Sequence, residues 1–369
     1  MDFLMIILCA VIVIGVLVFI HEGGHFLAAR AFGVRVTEFM IGLPGPNIGF
    51  RKGGTKFGLT AVPLGGYAKV CGMETGVESP YLEQVLTYVS AHGTATIEEV
   101  AETLGISADD AEDALDELVE WGSIVMVPPR EAERTYRTAS IQPTKRQIRE
   151  AKRLNRPIPA TTAEGDPLVL PDPHEHFLRE RKQQYRSLPF WKRSVIILAG
   201  IFVNLLFAVV AFVLIYAVIG IDITNTQTGE VTHFNATIPQ ALQAGLNVIV
   251  MTFQAIIGLF NPQTAAETVS NSTSIVGIAV MSKEYFAAGL VDALFFMALI
   301  SVSLGLMNLL PIPPLDGGRF LIEIIQKVPR RDLPMKVVSV VSMAGVALFV
   351  CFFVFMLNQD IQRFIFGSM

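Results

Sequence analysis

The sequence predicts a polytopic α-helical membrane protein of four transmembrane helices, with a small membrane-associated β-hairpin sheet and an inserted α+β cytoplasmic domain. Three observations predict it. Hydrophobic residues make up 52% of the 369 residues, 17% are charged and the mean hydropathy is +0.51, too apolar for an ordinary soluble chain. Four apolar runs, at residues 3–20, 195–219, 290–310 and 335–357, each come near the ~20 residues that a bilayer demands. Basic residues crowd between the first and second runs and return between the third and fourth as Arg319, Lys327, Arg330, Arg331 and Lys336, whereas Lys283 stands by itself between the second and third. That alternation is the positive-inside pattern of four spans.

The first run leads directly into His21-Glu-Gly-Gly-His25. On a helix, positions i and i+4 differ by only ~40°, so both imidazoles share one face, as two ligands of one metal must. Glu22 lies beside them, suited to be a base rather than a third ligand. Ionisable side chains at bilayer depth cost roughly 2.5–3.5 kcal/mol each on insertion scales, which marks this group as functional. A catalytic zinc site needs one more protein ligand and an open position for a water whose pKa falls to ~7, and the chemistry so implied is hydrolysis. The run has no basic n-region and exceeds the usual 7–15 apolar residues of a signal peptide, so a retained span is expected.

Residues 1–73 form the first expected unit. Within it, residues 36–70 carry turn signals at Gly42-Leu-Pro-Gly-Pro46, Lys52-Gly-Gly54 and Pro63-Leu-Gly-Gly66 between short extended runs, which predicts paired hairpins with an edge open to an added strand. Residues 75–140 form the inserted domain, with helices expected at 81–92, 96–104 and 107–121, the last capped by Ser107, and a two-stranded wing at 122–127 and 134–138. That order resembles a winged helix. Its third helix carries Asp109, Asp110, Glu112, Asp113, Asp116, Glu117 and Glu120, which phosphate would repel, so DNA is not an expected partner. A cytoplasmic protein partner or self-association fits better.

Residues 141–187 form a basic helix, with Lys145, Arg149, Lys152, Arg153 and Arg156 at helical spacing, and a Pro-rich linker at 157–173. Arg179, Arg181, Lys182 and Arg186 then precede the second span. Such clusters meet anionic headgroups, so the lipid bilayer is an expected partner. Residues 188–369 complete the transmembrane core. Within them, residues 241–260 contain Asn247, Thr252 and Gln254, and counting them as a span would place the last basic cluster outside. They read as an interfacial helix on the outer face. Both termini then lie outside the cytoplasm and residues 33–190 inside it. Cys9, Cys71 and Cys351 are three scattered cysteines and imply no disulfide framework.

A third ligand must come from elsewhere. In Asn308-Leu-Leu-Pro-Ile-Pro-Pro-Leu-Asp-Gly-Gly-Arg319, Pro311, Pro313 and Pro314 break the helix while Gly317 and Gly318 permit a tight turn. Broken helix at membrane depth is tolerated only against protein or a watery cavity. On spacing alone, Asp316 reads equally well as the metal ligand or as a cap of the helix that begins near Arg319.

The pairing of His21-Glu-Gly-Gly-His25 with Asn308-Leu-Leu-Pro-Ile-Pro-Pro-Leu-Asp316-Gly-Gly resembles the double signature of the site-2 protease family of intramembrane zinc metalloproteases, in particular the bacterial regulator-of-sigma-E protease type. Pro63-Leu-Gly-Gly-Tyr-Ala-Lys69, Leu198-Ala-Gly-Ile-Phe-Val-Asn204, Ser274-Ile-Val-Gly-Ile-Ala279 and Ala298-Leu-Ile-Ser-Val-Ser-Leu-Gly305 extend the resemblance over about residues 1–73 and 188–369. It implies that His21, His25 and Asp316 bind Zn2+, that Glu22 is the general base, and that Asn308 and Pro311 help to hold the substrate segment. Asn204 would line the site or bond a neighbouring helix. The implied activity is cleavage, in the cell's inner membrane, of single-span membrane proteins such as anti-sigma factors or signal-peptide remnants. The chain departs from the family pattern after the second span, where residues 221–239 are too few for the usual PDZ domain. A reading from another class is a catalytically idle scaffold that recruits partners through the insertion, against which intact Glu22 and Asp316 speak. A metal transporter would need more polar residues along several spans.

Overall fold

The computed structural model describes residues 2–62, 65–73, 78–127, 134–140, 148–149, 152–154, 161–224, 231–327 and 335–364. Helix α1 (Asp2–Ala31) contains no proline and runs unbroken through the apolar segment and the histidine motif. The four-stranded sheet β1 (Val36–Ile41), β2 (Asn47–Lys52), β3 (Thr55–Thr60) and β4 (Gly66–Val70) follows in the order β2-β3-β1-β4. Only β2–β3 is a hairpin. Strand β1 runs parallel to β3 and antiparallel to β4, so the hairpin is set to one side of the β1–β4 pair, and the segment expected to form paired hairpins is one mixed sheet. The ring of Phe39 on β1 meets both Phe26 of α1 and Phe57 of β3, and this apolar joint fixes the sheet against the helix.

The insertion contains α2 (Leu82–His92), β5 (Thr94–Thr96), α3 (Ile97–Leu104), α4 (Ala108–Glu120), β6 (Ile124–Val127) and β7 (Thr135–Thr138). Thr96 and Glu99 form a reciprocal cap on α3, and Ser107 accepts from Asp110 N–H at the start of α4. The sheet has three strands in the order β5-β7-β6 rather than two. Leu86, Val89, Leu115, Leu118, Trp121 and Tyr136 close a core of its own. Helix α5 (Pro173–Lys182), capped by Asp172, covers that core by stacking Phe177 on Trp121. Of the segment expected to be a basic helix, residues 148–149 and 152–153 are described as helical, while Lys145, Arg156 and the linker start at Pro157 lie outside the described residues, as do Arg330 and Arg331.

Helix α6 (Phe190–Val213) begins after Pro189, continues as a π-helical turn (Leu214–Ile219) and stops at Gly220, whose φ of 83° ends the helix. The hairpin β8 (Ile221–Thr224) and β9 (Val231–Phe234) leads to α7 (Ile238–Gly258), then α8 (Ala265–Asn271), α9 (Ile275–Ala288), α10 (Leu290–Asn308), α11 (Asp316–Lys327) and α12 (Met335–Phe364). Five described helices, α1, α6, α7, α10 and α12, are long and apolar enough to cross a membrane. Val13 and Leu17 of α1 pack on Phe296 of α10, and Ala208 and Phe212 of α6 pack on Val302 and Leu306 of α10. On α12, by contrast, Met343, Leu348, Val354 and Phe355 face outward, as a lipid-facing helix requires. Its far end is nevertheless fixed, because the buried Asp360 accepts hydrogen bonds from Ser274 N–H, Ser274 O–H and Gly277 N–H at the start of α9. The chain is therefore a mostly helical, multi-pass membrane protein with small sheets. Cys9, Cys71 and Cys351 are free thiols.

Candidate active site

His21 and His25 stand one turn apart on α1, and both are almost wholly buried. Their Nε2 atoms are 3.3 Å apart, and Asp316 Oδ2 lies 3.0 Å from the first and 3.1 Å from the second. In tetrahedral zinc coordination, with bonds of ~2.0–2.1 Å to nitrogen, the ligand-to-ligand edge is about 3.3 Å. The three atoms thus mark three corners of such a tetrahedron, drawn in by a few tenths of an ångström. Two histidines and a carboxylate with the fourth corner open is also the donor set of a catalytic rather than a structural zinc ion, so the residues present fit the metal.

The second nitrogen of each ring decides whether Nε2 can be a ligand. His25 Nδ1–H donates to the Ile196 carbonyl at 2.8 Å, which leaves the Nε2 lone pair aimed at the centre. His21 Nδ1 lies 3.2 Å from the Asn204 side-chain amide nitrogen, while Asn204 Oδ1 is buried without a partner. Amide nitrogen and oxygen are interchangeable in shape. Turning the amide over lets Oδ1 accept from His21 Nδ1–H, which satisfies the orphan oxygen and fixes the His21 tautomer in one step. Ser301 of α10 donates to the Asn204 backbone carbonyl at 2.9 Å and ties the third helix to the same level.

Helix α6 can come this close because two glycines face each other across the seam. A Cβ on Gly24 would stand 2.6 Å from Ala199 O, and one on Gly200 would press into both imidazoles. Gly23, its neighbour, meets open space. Small residues at a helix crossing allow backbone contact inside a membrane, and here that contact puts Ile196 O and Asn204 within reach of the rings.

Asp316 arrives from the other end of the chain, 291 positions after His25. Helix α10 stops at Asn308, and the segment 309–315, with a cis bond at Pro313-Pro314, turns back into α11. Gly317 and Gly318 lie against the main chain of Leu309, Leu310 and Pro313, where any Cβ would clash. That contact seats Asp316 as the first residue of α11, and its carboxylate points to the histidines instead of capping its own helix.

Glu22 projects towards the sheet, and its Oε2 accepts from Ala68 N–H of β4 at 2.9 Å. Ala68 therefore spends its N–H on the carboxylate and not on β1. Asn308 donates to Leu304 O within its own helix, and the hydrogen bonds of the described residues bring neither it nor Pro311 to the histidines. Sequence reasoning misses the Ile196 carbonyl, the Ala68 amide and the role of Gly200. The run Ala199-Gly200 followed four residues later by Asn204 carries the available signal, a small-residue helix face with one polar group.

The whole constellation falls inside a match to the family model described as Peptidase family M50, which covers residues 9–352. The regulator of sigma-W protease of Bacillus subtilis is 23% identical over 437 residues, covering 97% of this chain and 98% of that protein. The zinc metalloprotease RasP of Geobacillus kaustophilus is 24% identical over 436 residues, with 97% and 98% covered. A Campylobacter jejuni chain assigned by name to the zinc metalloproteases is 25% identical over 393 residues, with 97% and 94% covered. With a zinc-shaped donor set assembled from both ends of that match, the chain belongs to peptidase family M50, the site-2 proteases, and is an intramembrane zinc metalloprotease.

Proposed function

We propose that the chain cleaves single-span membrane proteins of the inner membrane, with His21, His25 and Asp316 holding Zn2+ and Glu22 as general base. The convergence of His21 Nε2, His25 Nε2 and Asp316 Oδ2 within 3.3 Å carries the assignment. A zinc ion there would supply Lewis acidity and a water acidified to a pKa near ~7. Glu22 takes the proton of the attacking water as its hydroxyl adds to the scissile carbonyl carbon, and returns it to the amine nitrogen as the C–N bond breaks. The Ala68 amide holds the Glu22 carboxylate in place meanwhile.

A peptide bond within a helix is hidden, so the substrate must be extended before attack. The free side of β4 is the edge next to Glu22, and an extended segment added there would lie alongside the base. Asn308 and Pro311, at the broken end of α10, would hold its other side. An anti-sigma factor is one substrate class of this kind, in keeping with the name of the Bacillus subtilis relative.

The remaining assignments rest on sequence pattern and arrangement. Helices α1, α6, α10 and α12 span the membrane, α7 lies at the outer interface, both termini are extracytoplasmic and residues 33–190 are cytoplasmic. The chain divides into units at 1–73, 75–140, 141–187 and 188–369. The order α2-β5-α3-α4-β6-β7, with sheet order β5-β7-β6, supports the winged-helix reading of the insertion, and its acidic α4 suits a protein partner or a second copy of this chain rather than DNA.

The test is co-expression with a single-span substrate. Glu22→Gln should stop cleavage while the purified protein retains one zinc per chain. Undiminished cleavage would overturn the role of Glu22, and a metal-free but active wild-type enzyme would overturn the zinc site.

A further inference from the structure

A cavity of about 760 Å³ opens where the insertion, α5, the start of α6 and the far end of α11 meet, on the side that the proposed topology makes cytoplasmic, a volume ordinary for a small-molecule site. Its lining holds five cations, Arg181, Lys182, Arg186, Lys192 and Arg193, against the carboxylates of Glu78 and Glu323. Both carboxylates are engaged, since Arg181 pairs with Glu78 at 2.6 Å and Arg193 with Glu323 at 3.2 Å. Lys182 and Lys192 face a concave space with partly apolar walls, including Phe32 just past the end of α1 and the exposed Leu178 of α5.

The position of this cavity along the membrane normal is marked by its neighbours. Phe32 follows the last residue of α1, and Lys192 lies in the first turn of α6, with its ammonium 5.5 Å from the ring centres of both Phe32 and Trp191. Trp191 is exposed, as an aromatic at the headgroup level of a bilayer is. A basic pocket between spans on the cytoplasmic side is suited to a phosphate-bearing headgroup.

We propose that this cavity binds a phosphate-bearing anion, supplied by the headgroup of an anionic phospholipid, and that the bound headgroup bridges the insertion to the two spans. Lys182 and Lys192 would contact the phosphate from α5 and α6, and the Leu178 side of the cavity would receive the rest of the headgroup. The cavity lies about two turns nearer the start of α6 than Gly200, which packs on the histidines, and the proposal does not depend on the zinc centre.

The experiment uses the full chain purified in neutral detergent. Phosphatidylglycerol, cardiolipin, phosphatidylcholine and inorganic phosphate are titrated separately, with native mass spectrometry and melting temperature as readouts. The anionic lipids should be retained and raise the melting temperature, while phosphatidylcholine does neither. Lys182→Ala/Lys192→Ala should weaken anionic-lipid binding about tenfold, and Arg51→Ala/Lys52→Ala, which removes two exposed cations of β2, should leave it unchanged. Protection by inorganic phosphate that is lost in Lys182→Ala/Lys192→Ala would support the same site with a soluble source. Equal binding of phosphatidylcholine, or equal loss in both double variants, would overturn the proposal. Unchanged zinc content in each variant shows that the fold is retained.

Discussion

Arg35 and Glu180 meet through two parallel hydrogen bonds, Nη1 to Oε2 at 2.7 Å and Nη2 to Oε1 at 2.9 Å, which join the link between α1 and β1 to α5. The same guanidinium donates to the carbonyls of Trp121 and Gly122, and Ser123 O–H donates to Glu180. One arginine thus fastens the insertion to the membrane core. Burial would raise the Glu180 carboxyl, but Arg35 and Ser123 hold it below the usual carboxylate range.

Arg35→Ala strands the Glu180 charge in a mostly buried site and should cost roughly 2–4 kcal/mol, while Arg35→Ala/Glu180→Ala costs less than the single change. Limited proteolysis between the insertion and α5 reads the difference. The contribution of the pair is present above the ordinary carboxyl pKa and lost as pH falls through the depressed folded value, so wild type should approach Arg35→Ala only in strong acid.

The two central glycines of the histidine motif should respond in opposite ways. Gly23→Ala adds a methyl to open space and should leave activity near wild type, with up to ~1 kcal/mol gained from helix propensity. Gly24→Ala and Gly200→Ala push α6 from α1, and a shift near 1 Å at the catalytic groups costs on the order of 10²-fold in turnover. Cleavage rates of the three variants, normalised to zinc content, check this.

Asn204→Leu removes the partner of His21 Nδ1 and should lower zinc affinity by about 10–100-fold, the usual penalty for losing such a support. Asn204→Asp, which keeps an acceptor, should lose far less. Competition with a chromogenic chelator distinguishes the two, and equal affinity in wild type and Asn204→Leu would remove Asn204 from any positioning role.

Within the insertion, burial pushes the Glu117 carboxyl up to about 7, against the opposing hydrogen bond from Ser79 N–H. A folded pKa above the unfolded value of 4.5 means that the protonated form stabilises the fold below about 4.5 and that this contribution is lost as pH rises to about 7. Glu117→Gln should flatten the pH dependence of melting between 5 and 8 and raise the melting temperature at pH 8. Fluorescence of the buried Trp121 in a Trp191→Phe background follows the insertion directly.

Much of the centre is legible in the sequence because it rests on periodicity. The i, i+4 histidines need only a helix, and the Pro and Gly run around Asp316 announces a broken one. Less legible are features set by tertiary contact. Nothing local in residues 36–70 says that β1 pairs with β3 in parallel, because the pairing depends on Phe39 docking between α1 and β3. Strand β5 is three residues long and exists through its register with β7. Helix α9 is masked in the apolar profile by Lys283 and Glu284, and α5 by its charged residues, although Asp172, Pro173 and Glu175 are a readable helix start. Asn204 looks like a generic helix-bonding polar residue until the His21 ring is placed beside it.

Because the proposed metal ligands come from the first helix and from a turn 291 positions downstream of His25, a nascent chain carries only two of the three until α10 has been made and the chain has folded back into α11. The order of synthesis therefore acts as a built-in delay. A half-made copy emerging beside other newly inserted proteins has no complete scissors with which to cut them.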